Sequence, residues 1–360
     1  MTSNRIRELK RKIKSQRWQS FLVSDSFNVS YLTGVSFLTP YEHEAYLLVT
    51  LNNTYFITFS TYYGLYTIKS SWQVHYATPF NKLTSILTEI IKKEKIKTMA
   101  IEKNSLNLSE YLSLKNKLPV KLILTQDIIE KLRIIKIDSE IKNIHQAAKI
   151  TDRSFSFILK QIKKGMSERE LALKIEFFIK ENAQNIAFSP IVAFNKNAAI
   201  PHYIPSDKVK LAANSLILLD FGAKVNNYCA DLSRVVFFGT PTNRLVKIYQ
   251  TVLDTQQKAL NALHPQVSAK TIDSIARKLI EREGFPSFQH GLGHGVGLAI
   301  HEDPRLNPQS TDKLMPNMVF TIEPGIYLPG FAGVRIEDLL VLRREGPEIL
   351  SKSTKEIIIL

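Results

Sequence analysis

The stretch of chain from Ser215 to Phe238 reads SLILLDFGAKVNNYCADLSRVVFF, two apolar runs on either side of a polar centre. Asn226-Asn227 lies at that centre, and asparagine tolerates the positive φ angles of a tight turn. A two-residue turn there pairs Asp220 with Ser233, two residues after Asp231. Because side chains alternate between the two faces of a strand, this register predicts that both aspartates point the same way.

A second hairpin-like stretch runs from Met318 to Arg343 with the sequence MVFTIEPGIYLPGFAGVRIEDLLVLR. A turn centred on Gly330 places Glu323 directly opposite Glu337. The two hairpins therefore carry four carboxylates that could converge on one place in the fold.

Converging carboxylates repel one another and cannot all ionise without a compensating cation. A pair of divalent metal ions resolves the conflict, because four negative charges then meet four positive ones. The competing interpretation is that these acids are solvated strand ends, as most carboxylates are exposed. Asp220 ends the apolar run LILLD, however, and Glu323 lies inside VFTIEP. Buried charges need partners, so the sequence favours a metal site.

Three of the eight histidines lie in the segment Gln289–Glu302, QHGLGHGVGLAIHE. Its four glycines predict a loop that can bring the imidazoles of His290, His294 and His301 close to a metal. A single histidine is more often structural, whereas three that flank a glycine loop favour ligation or catalysis. Carboxylate and imidazole ligands together suit Mn, Co, Fe or Zn.

The length of 360 residues predicts two domains, at least one of which buries a full core. Residues 1–130 alternate strand-like and helical runs, which predicts an α/β domain. Residues 131–360 combine helices with glycine-rich strands, which predicts an α+β domain whose helices back an antiparallel sheet. In this second domain Ser167 and Glu170 have the spacing of a helix capping box. The predicted strands of the first domain are Phe21–Ser24, Ala45–Leu51, Thr54–Phe59, Thr98–Glu102 and Val120–Leu124, and its predicted helices lie near Asn81–Lys95 and Ser105–Lys117.

The composition, 44% apolar and 22% charged, excludes a disordered, collagen-like or disulfide-stapled chain. Forty-eight basic residues against thirty-three acidic ones leave a net charge of +15, but the basic residues are scattered and no reader motif accompanies them. We therefore expect no nucleic-acid partner. The single cysteine, Cys229, cannot form an internal disulfide. No apolar run approaches the roughly 18 residues of a membrane span, and the first residues lack a signal-peptide core, so we expect a cytoplasmic protein and no membrane partner.

The order of Asp220, Asp231, His294, Glu323 and Glu337, in the contexts LDFGAKVNNYCADLSR, GLGHGVGL, FTIEPGIY and GVRIED, resembles the pita-bread metallopeptidases. The resemblance is to their aminopeptidase P and prolidase branch and covers nearly the whole chain. It implies a creatinase-like N-terminal domain, a pita-bread catalytic domain and a dinuclear site. In that site Asp220 binds one ion, and Asp231 and Glu337 bridge both. His294 and Glu323 bind the other ion, with Mn expected and Co, Zn or Fe as alternatives.

The same resemblance assigns roles around the metals. His202, in AAIPHYIPSD, matches the substrate-side histidine of the family, and His301, in AIHEDP, matches the histidine that contacts the scissile group or shuttles protons. His290 matches a further histidine of the substrate pocket. Arg335 precedes Glu337 by two residues and shares its strand face, where it can orient the carboxylates through charge-assisted hydrogen bonds.

One stretch departs from the family pattern. Many relatives carry an Asp-x-Arg-Tyr element on a strand of the N-terminal domain, whereas Thr58–Tyr63 here reads TFSTYY, with neither Asp nor Arg. The role that this element has toward substrate or a neighbouring subunit is therefore not carried over.

The resemblance implies metal-assisted hydrolysis of the bond before proline, in peptides with proline at the second position. Glu323 would take up and return the proton, and His202 and His301 would support the tetrahedral intermediate. We expect an Xaa-Pro aminopeptidase, since Arg335 is paired beside Glu337 instead of aimed at a proline carboxylate. The alternative is an Xaa-Pro dipeptidase. Two further alternatives rank lower. A methionine aminopeptidase usually lacks such an N-terminal domain, and a non-catalytic pita-bread binding protein typically lacks some of the metal ligands. We also expect a homodimer.

Overall fold

The computed structural model describes residues 2–37, 39 and 42–360. Contacts between residues divide the chain into two units, Met1–Arg133 and Ile134–Leu360, which we call the N-terminal unit and the C-terminal unit. The sequence predicts the division between residues 130 and 131. No helix in the described part of the chain has the length and apolar character needed to cross a membrane.

The N-terminal unit is an α/β structure, as the sequence predicts. Its six strands form one mixed sheet in the order β4-β3-β2-β1-β5-β6, with β1, β5 and β6 parallel to one another. The helices are α1 (Thr2–Ser15), α2 (Ser26–Thr33), α3 (Leu83–Glu94), α4 (Leu108–Lys117) and α5 (Glu130–Arg133), and the strands are β1 (Ser20–Val23), β2 (Ala45–Thr50), β3 (Thr54–Phe59), β4 (Gln73–Ala77), β5 (Thr98–Glu102) and β6 (Lys121–Thr125).

The predicted set lacks several elements of this unit, among them α2 and β4. Helix α2, SFNVSYLT, is buried over most of its surface and has no amphipathic stripe that would reveal it in the sequence. Strand β4, QVHYA, is five residues long and lies at the edge of the sheet, where Ala77 is its single buried residue. In the TFSTYY stretch, the first two residues end β3 and Ser60–Tyr62 form a 3₁₀ turn.

The C-terminal unit is α+β, as predicted, and its sheets are antiparallel. They have the orders β12-β9-β8, β14-β13-β15-β18-β19, β16-β17 and β11-β10-β7. The helices are α6 (Asp138–Leu159), α7 (Glu168–Asn182), α8 (Asn243–Asn261) and α9 (Ala269–Arg282), and the strands are β7 (Asn185–Ile186), β8 (Ile191–Phe194), β9 (Ser215–Phe221), β10 (Ala223–Val225), β11 (Tyr228–Cys229), β12 (Leu232–Phe238), β13 (Gly293–Gly295), β14 (Glu302–Leu306), β15 (Val319–Ile322), β16 (Gly325–Leu328), β17 (Ala332–Arg335), β18 (Asp338–Leu342) and β19 (Pro347–Ile349).

Strand β9 is covered on both faces, which explains its unbroken apolar run. Leu216 and Leu218 belong to the core formed with α8 and α9, while Ile217 and Leu219 belong to the core formed with α6 and α7. A pair of helices therefore backs each face of this sheet. By the same alternation, Asp220 lies on the α8/α9 side, at the end of the strand.

The predicted register of the first hairpin is confirmed. Asp220 pairs with Ser233 in the ladder between β9 and β12. Asn226 and Asn227 have φ angles of 47° and 71°, as a tight two-residue turn requires. Asp231 lies between the end of β11 and the start of β12. Across the hairpin, the Ala230 carbonyl oxygen approaches Gly222 so closely that position 222 has no room for a side chain.

The register of the second hairpin is also the predicted one. In the ladder of β15 with β18, Ile322 pairs with Asp338, and in the ladder of β16 with β17, Gly325 pairs with Arg335. Both ladders have the same register, which places Glu323 across from Glu337.

We expect Leu219→Ala to destabilise the C-terminal unit by about 2–5 kcal/mol, because Leu219 is fully buried between β9 and the α6/α7 pair and its truncation leaves a cavity. Leu173→Ala is the matched control, since Leu173 lies on α7 with 42% of its surface exposed. Chemical denaturation of both variants measures the difference. Equal stability losses would contradict the two-sided core.

Candidate metal centre and active site

The acidic residues on the two hairpins and one histidine meet in a single buried site. Asp231, His294 and Glu337 each offer a ligand atom within 4.8 Å of the others, and all three residues are buried. The Nε2 atom of His294 also lies 3.4 Å from Glu323 Oε1 and 3.6 Å from Asp231 Oδ2. Asp220 is the fourth acid, 8% exposed at the end of β9.

The glycine-rich segment forms a strand around His294, where the sequence predicts a loop. Gly293, His294 and Gly295 make up β13, which pairs with β14 and β15. A Cβ atom at Gly293 would lie 1.9 Å from the carbonyl oxygen of Thr321. The glycines therefore allow close contact between the strands, so the backbone at His294 packs directly against the neighbouring strands.

The carboxylates fit a cation-binding site. Asp220 Oδ1, Asp231 Oδ1 and Glu337 Oε1 are buried and have no hydrogen-bond partner in the structure. A buried carboxylate oxygen without a partner is costly, and a carboxylate-imidazole set suits divalent ions of the Mn, Fe, Co and Zn series. Asp231, His294 and Glu337 are therefore able to hold a metal ion, and Asp220 and Glu323 line the same cavity. These are the five residues that the family resemblance implies as ligands.

Crowding and burial perturb these groups strongly. Burial, then the neighbouring carboxylates, raise the pKa values of Asp231 and Glu337 well above the usual range. Burial also raises the pKa of Glu323 to about 8, although Arg335 opposes the shift. Burial, then nearby His301, lower the pKa of His294 to about 3, so its imidazole is neutral at pH 7 and has a lone pair for a metal.

Arg335 is the cation that the structure places against the acids. Its Nη2 donates to Asp220 Oδ2 at 2.5 Å, and its Nε donates to Ser233 Oγ at 2.8 Å. Ser233 in turn donates to Glu337 Oε2 at 2.8 Å. Arg335 therefore contacts one carboxylate directly and reaches Glu337 through a serine. Sequence reasoning assigns no role to Ser233, although its pairing with Asp220 was a usable signal.

His290 already has partners at both ring nitrogens. Its Nδ1 lies 2.8 Å from the Gly291 carbonyl oxygen, so Nδ1 is the donor and Nε2 accepts from the Tyr327 hydroxyl at 2.8 Å. The same hydroxyl accepts from Arg335 Nη1 at 2.9 Å. Burial, then Arg335, lower the pKa of His290 to about 4. His290 thus connects the pocket wall to Arg335, with Tyr327 as a link that the sequence does not reveal.

The acids and histidines face a cavity of about 570 Å³. His202, His290 and His301 line it, and the His301 ring lies 4.4 Å from the His294 ring in an edge-on arrangement. The rest of the wall is partly apolar and partly polar, formed by Phe188, Ser189, Ile191, Pro201, Ile300, Arg305 and Asn307.

Arg305 is a cavity residue that sequence reasoning misses. It lies on β14 directly opposite His294 of β13, and its side chain is 46% exposed. Its Nε is 3.9 Å from Asp303 Oδ1, beyond hydrogen-bond distance, so that contact does not hold the guanidinium firmly. The signal in the sequence was its place just after the AIHEDP motif.

Comparison with known proteins agrees with this architecture. Residues 142–344 match the model of metallopeptidase family M24, and residues 5–135 match the creatinase/prolidase N-terminal domain. A Xaa-Pro dipeptidase of Pyrococcus horikoshii is 36% identical over 340 residues, covering 94% of this chain and 93% of that protein.

Solved structures give the same result. A Xaa-Pro dipeptidase from Bacillus anthracis superposes with a TM-score of 0.93 at 32% identity and covers 100% of both chains. An X-Pro aminopeptidase from Thermotoga maritima superposes with a TM-score of 0.86 at 33% identity, covering 96% of this chain and 100% of that one.

The fold and the buried acid-imidazole site are those of a divalent-metal peptidase. The chain belongs to metallopeptidase family M24, with a creatinase/prolidase N-terminal domain.

We expect the metal-free protein to lose stability between about pH 7.5 and about pH 8.5, where histidines are almost entirely neutral in both the folded and the unfolded state and the carboxyl groups determine the slope. The folded pKa of Glu323, about 8, lies above its unfolded value, so the folded state binds more protons and becomes less stable as the pH rises. Thermal unfolding with chelator and with Mn²⁺ at each pH measures the effect, and added metal should remove the slope. Glu323→Gln should flatten it as well, and a slope unchanged by both treatments would contradict this origin.

Proposed function

We propose that this peptidase hydrolyses the bond between an N-terminal residue and proline, and that it acts best on Xaa-Pro dipeptides. The sequence favours an aminopeptidase, whereas the relatives described above support the dipeptidase alternative better. The observation that carries the proposal is Arg305, a guanidinium in the cavity wall. An Xaa-Pro-Yaa aminopeptidase is the second candidate, which the similarity to the Thermotoga maritima X-Pro aminopeptidase supports.

We assign the metal ligands to Asp220, Asp231, His294, Glu323 and Glu337. Two divalent cations held there would supply Lewis acidity, lowering the pKa of water and polarising the scissile carbonyl group. The oxygen-rich donor set supports manganese.

The protein residues provide the proton transfers. Glu323 Oε1 accepts from Thr321 Oγ1 at 3.3 Å, and Glu323 lines the cavity. A carboxylate in this position can take a proton from the attacking water and deliver it to the proline nitrogen as the bond breaks. His202 and His301 face the same cavity and would stabilise negative charge on the scissile carbonyl oxygen.

The cavity wall accounts for the choice of substrate. Phe188, Ile191 and Ile300 offer an apolar surface for the proline ring. A dipeptide differs from a longer peptide by the carboxylate directly on that ring. Arg305 can bind this carboxylate in a charge-assisted, two-pronged hydrogen bond.

We propose residues 1–130 and 131–360 as the two domains, a homodimer as the assembly and the cytoplasm as the location. Cys229 is the single cysteine of the sequence and its thiol is buried, which is compatible with a reducing compartment. Light scattering and cell fractionation test the last two.

A substrate panel tests the function. Xaa-Pro dipeptides, Xaa-Pro-Yaa tripeptides and Met-Ala peptides are assayed with Mn²⁺, Co²⁺ or Zn²⁺ by the release of free amino acid. We expect hydrolysis before proline, with dipeptides preferred. Preference for tripeptides would favour the aminopeptidase, and cleavage of Met-Ala peptides alone would contradict both candidates.

Arg305→Ala should raise KM for Xaa-Pro dipeptides about 10- to 100-fold, because a hydrogen bond to a charged group contributes about 1.5–3 kcal/mol. The KM for Xaa-Pro amides, which lack the carboxylate, should change little. Arg344→Ala is the matched control, since it removes the same charge from an exposed site outside the cavity. Equal effects on acids and amides would exclude Arg305 as the carboxylate anchor.

His202→Ala and His301→Ala should each lower kcat/KM by about 10²-fold, the scale of losing one acid-base or oxyanion contact. Both variants should keep their metal, whereas Asp231→Asn should lose it. Elemental analysis of the purified variants makes the comparison. Metal loss in His301→Ala would mean that this histidine is a ligand.

A further inference from the structure

The segment Phe194–Ser206, which we call the His202 loop, carries a cavity histidine with little regular structure of its own. Asn195–Ala199 forms a 3₁₀ turn, and the residues from Ile200 onward are in neither helix nor strand. His202 lies in this irregular part and lines the cavity. Its position must therefore depend on contacts made by the rest of the loop.

One buried carboxylate, that of Glu168, binds the loop at four points. Glu168 Oε1 accepts from Phe194 N at 2.8 Å and from Asn197 Nδ2 at 2.9 Å. Glu168 Oε2 accepts from the Tyr203 hydroxyl at 2.8 Å and from Ser206 N at 3.2 Å. The four donors span both ends of the His202 loop, and Tyr203 is the residue next to His202.

The buried Glu168 carboxylate and the His202 loop depend on each other. Glu168 is fully buried, so its charge depends on these donors for the solvation that water would otherwise provide. A displaced loop would leave the carboxylate under-solvated. Burial, then the hydrogen bond to Glu168, raise the pKa of Tyr203 to about 12, so its hydroxyl stays protonated and remains a donor.

Starting helix α7 does not require the Glu168 side chain. Ser167 Oγ accepts from Glu170 N at 3.1 Å, and Glu170 Oε2 accepts from Ser167 N at 2.6 Å, which confirms the predicted capping box. With the helix start satisfied by these two residues, the Glu168 carboxylate is committed to the His202 loop.

We propose that Glu168 is a positioning residue that holds His202 at the correct place in the cavity for the hydrolytic step. The inference rests on the proposed function, because it takes His202 to act on substrate. It adds a residue outside the cavity wall on which turnover depends.

The test is a double-mutant cycle. Glu168→Gln keeps the side-chain volume, but whichever way the amide points, its NH₂ faces a backbone N–H donor, that of Phe194 or that of Ser206, so the loop must shift. A shift of about 1 Å can cost about 10²-fold in rate, so we expect kcat for Xaa-Pro dipeptides to fall about 10- to 100-fold with little change in KM or metal content. In the His202→Ala background the same substitution should change kcat less than about 2-fold, because the group that it positions is gone.

Glu170→Gln is the matched control, as it makes the same chemical change two residues away on an exposed side chain of the same helix. It should leave kcat unchanged. If Glu168→Gln does not fold, Tyr203→Phe removes a single donor and should show the same dependence on His202 with a smaller loss. Equal losses with and without His202, or full activity in folded Glu168→Gln, would overturn the proposal.

A readout without turnover separates this inference from the proposed function. The ring signals of His202, identified in NMR spectra by their loss in His202→Ala, should shift or broaden in Glu168→Gln and stay unchanged in Glu170→Gln. Unperturbed His202 signals in Glu168→Gln would contradict positioning. A wild-type protein that cleaves no Xaa-Pro bond, yet shows the perturbation, would refute the function and leave the positioning intact.

Discussion

Mutual repulsion among Asp220, Asp231, Glu323 and Glu337 is the constraint on which this structure depends. Two hairpins from distant parts of the chain bring the four acids into one buried place, and burial together with neighbouring carboxylates raises the pKa values of Asp231 and Glu337. The guanidinium of Arg335 contacts one of the acids, and several carboxylate oxygens keep no protein partner. Divalent cations are the counter-charge that such a site requires.

A buried ion pair fixes strand β18, which begins directly after Glu337. Arg234 donates to the backbone carbonyl of Glu337 and pairs with Asp338 at 2.6 Å, and both charged side chains are almost fully buried. Lys355 contacts the other oxygen of Asp338 at 2.6 Å, and Arg234 also donates to the Ser353 carbonyl oxygen at 2.8 Å. The last segment of the chain is thereby tied to the residue that follows Glu337. Because a buried ion pair is stable only when its hydrogen bonds are complete, these contacts hold the strand in one position.

Carboxylates that do not face the cavity also hold the segments that carry His202 and His301. Glu168 holds the loop that carries His202. Glu302, directly after His301, pairs with buried Lys136 at 3.3 Å and accepts from the Ala299 backbone at 3.0 Å. His202 and His301 thus each lie on a segment that a carboxylate outside the cavity wall holds in place. Such support lets irregular segments hold catalytic groups in place, since unsatisfied buried charges resist displacement.

Spacing alone predicts the register of each hairpin, and with it that Asp220 and Asp231 share a face and that Glu323 lies opposite Glu337, because strand parity and the Asn226-Asn227 turn are local properties. The sequence could not reveal that Ser233 links Arg335 to Glu337, or that Glu168 binds the His202 loop, because each contact joins residues far apart in the chain. Nor could it reveal that Arg305 lines the cavity, because the pairing of β14 with β13 brings this residue into the cavity wall. Spacing fixes which face a side chain takes, but only tertiary packing decides which distant side chain it meets.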